Sequence, residues 1–382
     1  MAKKEKEEKV GKISIKDINS IINKKVGINI ASSLNDDSPS EVKEWIPSGS
    51  RWLDSIICKG KMAGIPVGRI IELAGESASG KSYLAAQIAK QAQLIGIHPV
   101  YFDSESSIDP EFLKKIGMDL DKFTYVQALS IEFVLKTIDE LLGCAEGIKY
   151  LFIWDSYANT ACEADLIEEE FNPQSSMAKG PRIMSMGLKK LTIPIANTQS
   201  TLLVLNQLRT NIGENSKFVP FFAPGGKALQ YAYSLRIWLT ARKAKDSCIN
   251  DQKGYRIGSE VKAKLVKSRF GTENREMTMK IVWGADPVGI QDELSWLEAV
   301  SSSSRYRTGG PWRYIISPSD GSEMKFSSKD EDGHKGWLEQ MKNENFRKIV
   351  LEIMDEHVIQ KFSDKTENAN KFYSIDDDEE KV

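Results

Sequence analysis

The hydrophobic positions change their spacing along the chain, and the spacing predicts the elements. Near the start, Ile15, Ile18, Ile21 and Ile22 recur at helical intervals inside a polar, lysine-rich stretch over residues 1–45. That stretch reads either as an arm that packs through the stripe or as a solvated tail. From about residue 65 to 285, short apolar runs alternate with helical stripes. The runs predict strands at Ile70–Ala74, Val100–Asp103, Thr124–Val126, Tyr150–Asp155 and Leu202–Asn206. The stripes that follow Leu84 and Ile131 predict helices between them, so residues 46–285 form an α/β core with a mostly parallel sheet flanked by helices. Three later runs, Leu235–Leu239, Val261–Val266 and Met277–Trp283, have no helical spacers and predict added antiparallel strands on one side of the sheet. Beyond 285, a Ser- and Gly-rich stretch precedes one more helical stripe at Phe346, Ile349, Val350 and Ile353, which predicts a small α+β C-terminal domain over 286–365. Residues 366–382 end in the acidic run Asp376–Glu380 and predict a disordered tail.

Composition changes this picture mainly by exclusion. With 52 basic and 54 acidic side chains the formal charge is −2, so bulk charge cannot coat a polyanion, and any nucleic-acid contact must come from a local groove or loop. No apolar run approaches the ~20 residues of a membrane helix, and MAKKEKEEKV lacks a signal-peptide core, which predicts a cytoplasmic chain with no membrane partner. Cys58, Cys144, Cys162 and Cys248 match no CxxC spacing, so buried free thiols are expected rather than zinc ligands or disulfides.

Candidate chemistry concentrates at the ends of the expected strands. Gly75, Glu76, Ser77, Ala78, Ser79, Gly80, Lys81 and Ser82 complete a GxxxxGK[ST] run between a strand and a helix, the context in which it binds ATP. The glycines let successive N–H groups face phosphate oxygens, the helix N-terminus adds partial positive charge, and Lys81 reaches the β- and γ-phosphates. Ser82 is placed to ligate Mg²⁺, and Asp155, ending an apolar strand, to hold a magnesium-bound water. Glu105, just past the strand ending at Asp103, is a candidate base for an attacking water, and Gln207 a candidate γ-phosphate sensor. Taken singly, Asp155 also reads as a cap, Glu105 as a solvated loop residue and Gln207 as a strand-end amide.

Several further segments carry a likeness in a fixed order. They are Pro47–Asp54, Gly68–Glu72, the P-loop, Asp103–Pro110, Asp155-Ser156, Asn206–Arg209, Gly225–Leu229 and Val266–Arg269. Across about residues 45–285 the chain thus resembles the RecA family of homologous-recombination ATPases, and a weaker echo of that family's small C-terminal domain appears around Trp312, Trp337-Leu338 and the helix near 345–360. The resemblance implies an ATP- and Mg²⁺-dependent strand-exchange protein. It would polymerise into a helical filament on single-stranded DNA, pair with homologous duplex DNA, and work with loader and single-strand-binding proteins.

Position by position, the resemblance makes Glu105 the catalytic glutamate and Gln207 the link from γ-phosphate to DNA. Asp109 and Phe112 match the adenine pocket. Lys267 and Arg269 match two cations that reach a neighbouring protomer's γ-phosphate, usually both lysine, so Arg269 is a departure that keeps charge and alters geometry. Two segments match DNA-binding loops. The first runs from about Glu168 to Arg182, and its run Glu168-Glu169-Glu170 does not suit phosphate contact. The second runs from Arg209 to Lys227 and holds Lys217, Phe218, Phe221, Phe222, Gly225 and Gly226. Cations on phosphates with aromatics between bases would hold a strand without reading its sequence. A hexameric helicase on the same core, and a nucleotide-switched regulatory DNA-binding protein with little turnover, remain open at this point.

Overall fold

The computed structural model describes residues 14–27, 31–32, 41–57, 64–106, 108–144, 147–167, 179–211, 221–241, 247–329 and 335–356. Cys58, Glu168–Glu170, Lys217, Phe218, the side chain of Lys227 and the acidic tail lie outside the described residues. The chain divides into two units, residues 1–43 and residues 44–382.

In the first unit the isoleucine stripe lies on helix α1 (Ile15–Val26), which starts at a reciprocal cap. Ser14 Oγ accepts from Asp17 N at 3.2 Å, and Asp17 Oδ2 accepts from Ser14 N at 3.0 Å.

The second unit opens with the short pair β1 (Trp45–Ile46) and β2 (Ile65–Pro66) around helix α2 (Arg51–Ile57). Strands and helices then alternate: β3 (Ile70–Gly75), α3 (Lys81–Leu94), β4 (His98–Asp103), α4 (Pro110–Lys115), β5 (Thr124–Gln127), α5 (Ile131–Cys144) and β6 (Tyr150–Asp155). Next come α6 (Glu163–Ile167), α7 (Lys179–Asn197) and β7 (Thr201–Gln207), then a two-stranded ribbon of β8 (Arg209–Thr210) and β9 (Phe221–Phe222). Helix α8 (Gly226–Ala232) leads to β10 (Leu235–Ala241), followed by β11 (Cys248–Asn250), β12 (Arg256–Ser268), β13 (Glu276–Val282) and β14 (Gly289–Ile290).

The large sheet runs β14-β13-β12-β10-β3-β7-β6-β4-β5, with β11 beside β12. Every pairing from β10 to β5 is parallel, while β12, β13 and β14 add antiparallel. This corrects one expectation: Leu235–Ala241 is parallel to β3. The cause is α8, which supplies the crossover that a parallel return requires and which the Gly225-Gly226 stretch had concealed. β3 is buried on both faces and is apolar except for Glu72. Ile71 and Leu73 face α2, α3 and α4, whereas Ile70 faces the layer of α5, α7 and α8.

Helix α9 (Asp292–Ser301) begins a separate core, completed by an antiparallel sheet of β15 (Tyr306–Gly309), β16 (Trp312–Ile316) and β17 (Glu323–Ser327) with α10 (Lys335–Gln340) and α11 (Glu344–Met354). Its centre is a ring cluster in which Trp337 lies 5.3 Å from Phe326 and 5.5 Å from Phe346. Trp52 packs against both this core and the α3 face of the large sheet. Beside it, Arg51 N donates to Asp292 Oδ2 at 3.0 Å and Arg51 Nη2 reaches Asp355 at 2.6 Å.

Among the described residues no helix is long and apolar enough to cross a membrane. Among the described residues Cys144, Cys162 and Cys248 form no disulfide, and Cys144, at the C-terminal end of α5, is exposed rather than buried as expected.

Burial pushes Asp54 up to about 7 against the opposing hydrogen bonds from Ser48, and burial raises Asp292 as well. A carboxyl whose folded pKa exceeds its unfolded value holds its proton more tightly when folded. It therefore supports the fold at acid pH and loses that contribution as pH rises through 7. Asp54→Asn removes the dependence, so the variant should gain on the unsubstituted chain by roughly 2–4 kcal/mol between about pH 5 and pH 8 in urea unfolding. An unchanged difference between the two pH values would rule out Asp54 as the titrating group.

Candidate functional site

The site begins where β3 stops. Helix α3 starts at Lys81, and between them the chain turns through Ala78 at φ 57° and Gly80 at φ 84°. A side chain at Gly80 would be strained there, and its Cβ would lie 2.6 Å from Ile281 Cδ1. Lys81 is buried, and its Nζ donates to Gly75 O at 3.1 Å and to Glu76 O at 2.8 Å. Burial lowers its pKa, while Asp155 and Glu105 pull it back up. Ser79 Oγ is buried and has no hydrogen-bond partner among the described residues. A cradle of backbone amides at a helix N-terminus, a lysine resting on neutral carbonyls and an orphaned hydroxyl fit a polyphosphate.

The metal-side residues meet directly. Ser82 Oγ donates to Asp155 Oδ2 at 2.7 Å, and the same oxygen accepts from Tyr101 Oη at 2.6 Å. Burial raises Asp155, opposed by those two hydrogen bonds. A hydroxyl and a carboxylate side by side are hard oxygen donors of the kind Mg²⁺ takes together with water.

Glu105 is positioned by the loop that follows β4. Asp103 Oδ1 accepts from Glu105 N at 2.9 Å and Oδ2 accepts from Ile108 N at 3.3 Å, which folds the loop back over the sheet edge. Glu105 Oε1 accepts from Ser156 Oγ at 3.1 Å, from Gln207 Nε2 at 3.3 Å and from Asn159 Nδ2. One carboxylate oxygen thus joins the ends of β4, β6 and β7, and brings Glu105 and Gln207 together. Ser156 was read only as part of the Asp155-Ser156 segment, without a role, and Asn159 and Tyr101 were not read at all, because an asparagine and a tyrosine in such runs carry no motif.

Asp109 and Phe112 lie on one side of the phosphate loop. Asp109 Oδ1 caps α4 by accepting from Glu111 N at 2.9 Å, with Pro110 as the first helical residue. Phe112 meets Tyr83 edge-on at 4.5 Å. Both residues line a slot with Ser82, Tyr83, Tyr101 and Ile108, wide in apolar surface as a planar base requires. A second hollow is lined by Ala78–Tyr83 and by Trp283. Tyr83 and Trp283 also line these hollows, with no sequence signal beyond their places after Ser82 and just past β13.

The remaining candidates sit apart from this cluster. Lys267 Nζ donates to Gln230 O at 2.5 Å, and Arg269 Nη2 to Tyr231 O at 2.8 Å, so both cations close the C-terminal carbonyls of α8. By register Lys267 lies opposite Arg236, which is level with Glu72 rather than with Gly75. Arg182 is exposed in the first turn of α7, so the first candidate loop ends before it, at or ahead of Lys179. Arg209 is exposed on the ribbon, paired with Phe222, which is also exposed, while Phe221 is half-buried. Gly225, at φ 108°, caps α8, and a Cβ there would lie 2.2 Å from Leu229 Cδ1. Gly226 and the backbone of Lys227 belong to the helix rather than to a loop.

A parallel sheet carrying this loop at its carboxyl edge, extended by antiparallel strands, defines a RecA-like P-loop ATPase core. The sequence profile of the RecA N-terminal domain matches residues 13–289. The chain is similar to Protein RecA of Saccharopolyspora erythraea, 30% identical over 299 residues covering 76% of this chain and 79% of that one. It is 32% identical to Protein RecA of Frankia casuarinae over 295 residues, 76% of this chain and 79% of that one. To Protein RecA of Fusobacterium nucleatum subsp. nucleatum it is 32% identical over 304 residues, 78% of this chain and 75% of that one. The chain belongs to the RecA family of recombinases, P-loop ATPases that bind nucleotide with a metal ion.

Tyr101→Phe deletes a hydrogen bond to a buried carboxylate and leaves Asp155 with Ser82 alone. It should cost about 1–3 kcal/mol in urea unfolding near neutral pH. An equal stability would mean that the Tyr101 hydroxyl does not hold Asp155.

Proposed function

We propose that this chain is an ATP-dependent strand-exchange recombinase, which assembles as a helical filament on single-stranded DNA and pairs it with homologous duplex. The observation that carries the reading is the contact of Glu105 Oε1 with Gln207 Nε2 at 3.3 Å, since Gln207 opens the segment that continues as the aromatic ribbon of Phe221 and Phe222. Hydrolysis chemistry and the candidate DNA segment therefore meet at one side chain.

In this reading the amides of Gly75–Ser82 and Lys81 would hold the phosphates of ATP, and Tyr83, Asp109 and Phe112 the base. Ser82 and Asp155 would hold Mg²⁺, which supplies neutralisation of phosphate charge. Glu105 orients a water and takes its proton on a carboxylate oxygen as that water attacks the γ-phosphorus and the bond to the β,γ-bridging oxygen breaks, leaving ADP and phosphate. Gln207 trades its bond to Glu105 for one to the γ-phosphate and so reports occupancy to the ribbon. Lys267 and Arg269 act on the neighbouring protomer, releasing the carbonyls of α8 to reach its γ-phosphate. Arg182, Arg209, Lys217 and Lys227 meet DNA phosphates, Phe218, Phe221 and Phe222 lie against bases, and Gly225 and Gly226 allow the segment to reorder. Residues 1–45 serve as the polymerisation arm, 286–365 as a C-terminal domain and 366–382 as an acidic tail.

The reading is tested by strand exchange between a circular single strand and its homologous linear duplex, with ATP and Mg²⁺. Joint molecules and helical filaments on electron micrographs are expected; rings with unwinding, or a nucleotide-bound monomer that ignores DNA, would overturn it.

Two substitutions examine the named roles. Glu105→Ala should retain ATP-dependent DNA binding while turnover falls by on the order of 10²–10⁴-fold, and normal turnover would remove Glu105 from the chemistry. Lys267→Ala should leave the free chain's nucleotide affinity intact and lower turnover on DNA by about 10³-fold or more, as loss of a cation supplied in trans does. A drop in the free chain's nucleotide affinity would contradict the interface role.

A further inference from the structure

Behind the site lies a buried polar cluster that none of these roles uses. Glu72, on β3 three residues before Gly75, is 1% exposed, and Arg236, on β10, is 6% exposed. Glu72 Oε2 accepts from Arg236 Nε at 2.6 Å, and Glu72 Oε1 accepts from Asn206 Nδ2 at 3.0 Å. Asn206, fully buried on β7, makes two further bonds, one to the segment before α8 and one within its own strand. Its Nδ2 also donates to Pro224 O at 3.1 Å, and its Oδ1 accepts from the backbone N of Gln207 at 3.0 Å. One amide thus touches the strand feeding the phosphate loop, the residue bonded to Glu105 and the residue preceding Gly225-Gly226.

Stability does not account for such an arrangement. A buried ion pair gives back much of its Coulomb energy in desolvation, and an apolar replacement is often as stable. What it supplies is direction. With Arg236 fixing one Glu72 oxygen, the other oxygen can hold the Asn206 amide in a single orientation, and that orientation sets the Pro224 carbonyl. Pro224 is followed by two glycines at φ 108° and 73°, a pair of residues able to absorb a backbone change that other residues would resist. Within the cluster, Arg236 Nη2 and Tyr233 Oη are buried without hydrogen-bond partners among the described residues, so the network is incompletely satisfied as it stands.

We propose that Asn206, oriented by the buried Glu72–Arg236 pair, is the positioning residue that transmits the state of Gln207 to the Pro224–Gly226 hinge, and so sets how strongly nucleotide changes affinity for single-stranded DNA. The inference rests on the recombinase reading above, and deepens it by naming the connection between its two halves. Asn206 touches neither phosphate nor base. It acts through the backbone of Gln207 on one side and the carbonyl of Pro224 on the other.

The test compares the full-length chain with Asn206→Ala and with Ile138→Ala, a core truncation on α5 outside the cluster. Affinity for labelled oligo-dT is measured with ATPγS and with ADP, and nucleotide affinity is measured without DNA. In the unsubstituted chain ATPγS should tighten DNA binding over ADP by a factor in the roughly 5–150-fold range. Asn206→Ala should reduce that factor to about twofold or less while nucleotide affinity without DNA stays within about twofold, and Ile138→Ala should keep the factor despite a comparable fall in Tm. Should Asn206→Ala not fold, Glu72→Gln, of the same shape, is read in the same way. A coupling factor preserved in the substituted chain overturns the inference alone. No nucleotide effect on DNA affinity in the unsubstituted chain overturns both the inference and the recombinase reading.

Discussion

The structure depends on the hydrogen bonding of β3 between β7 and β10, both parallel to it. Register does the assembling: Gly75 pairs with Gln207 on one side and with Leu239 on the other, and further along the sheet Asp103 pairs with Asp155. Those pairings place the phosphate loop, the two acidic strand ends and the glutamine at one edge before any side chain makes a contact. A slip of one residue would turn Asp155 and Gln207 to the opposite faces of the sheet, so the apolar alternation of Ile70 and Ile71 across two different cores protects the site as well as the fold. The short bonds at the site then refine what the backbone has arranged.

The cations of the candidate site share a second property. Lys81 rests on Gly75 and Glu76 carbonyls, Lys267 on Gln230 and Tyr231, and Arg269 on Tyr231. A bond from an ammonium or guanidinium to a neutral carbonyl is weaker than one to an anionic oxygen. Each group is therefore held in place by bonds that are weaker than those an anionic oxygen would make. Asp155 is arranged in the complementary way, buried among the hydroxyls of Ser82 and Tyr101 rather than locked against a cation.

Much of this was legible in the sequence, for identifiable reasons. The parallel strands, the phosphate loop and its flanking helix are short-range patterns, and Gly75–Ser82 carries its chemistry in consecutive residues. The direction of β10 was not legible, because α8 is seven residues long and its cap and first residue are both glycine, a composition that reads as a loop. Nor was the helical place of Arg182, since Gly180-Pro181 looks like a turn although proline is well tolerated in a first helical turn. Tyr101, Asn159 and the role of Ser156 escaped for another reason: their partners are Asp155 and Glu105, and that proximity exists only after the sheet has formed. The Glu72–Arg236 pair joins residues 164 positions apart, which local reading cannot connect.

That separation also shapes the birth of the molecule. The strand that carries the phosphate loop has no sheet neighbour of its own until residue 201 has been made, and its second edge stays bare until residue 235. As the chain leaves the ribosome N-terminus first, an apolar strand therefore waits with both edges open while later strands are synthesised. The strand that leads into the nucleotide cradle has neighbours that come late in synthesis, so a chain lacking β10 would leave one of its edges open to other chains.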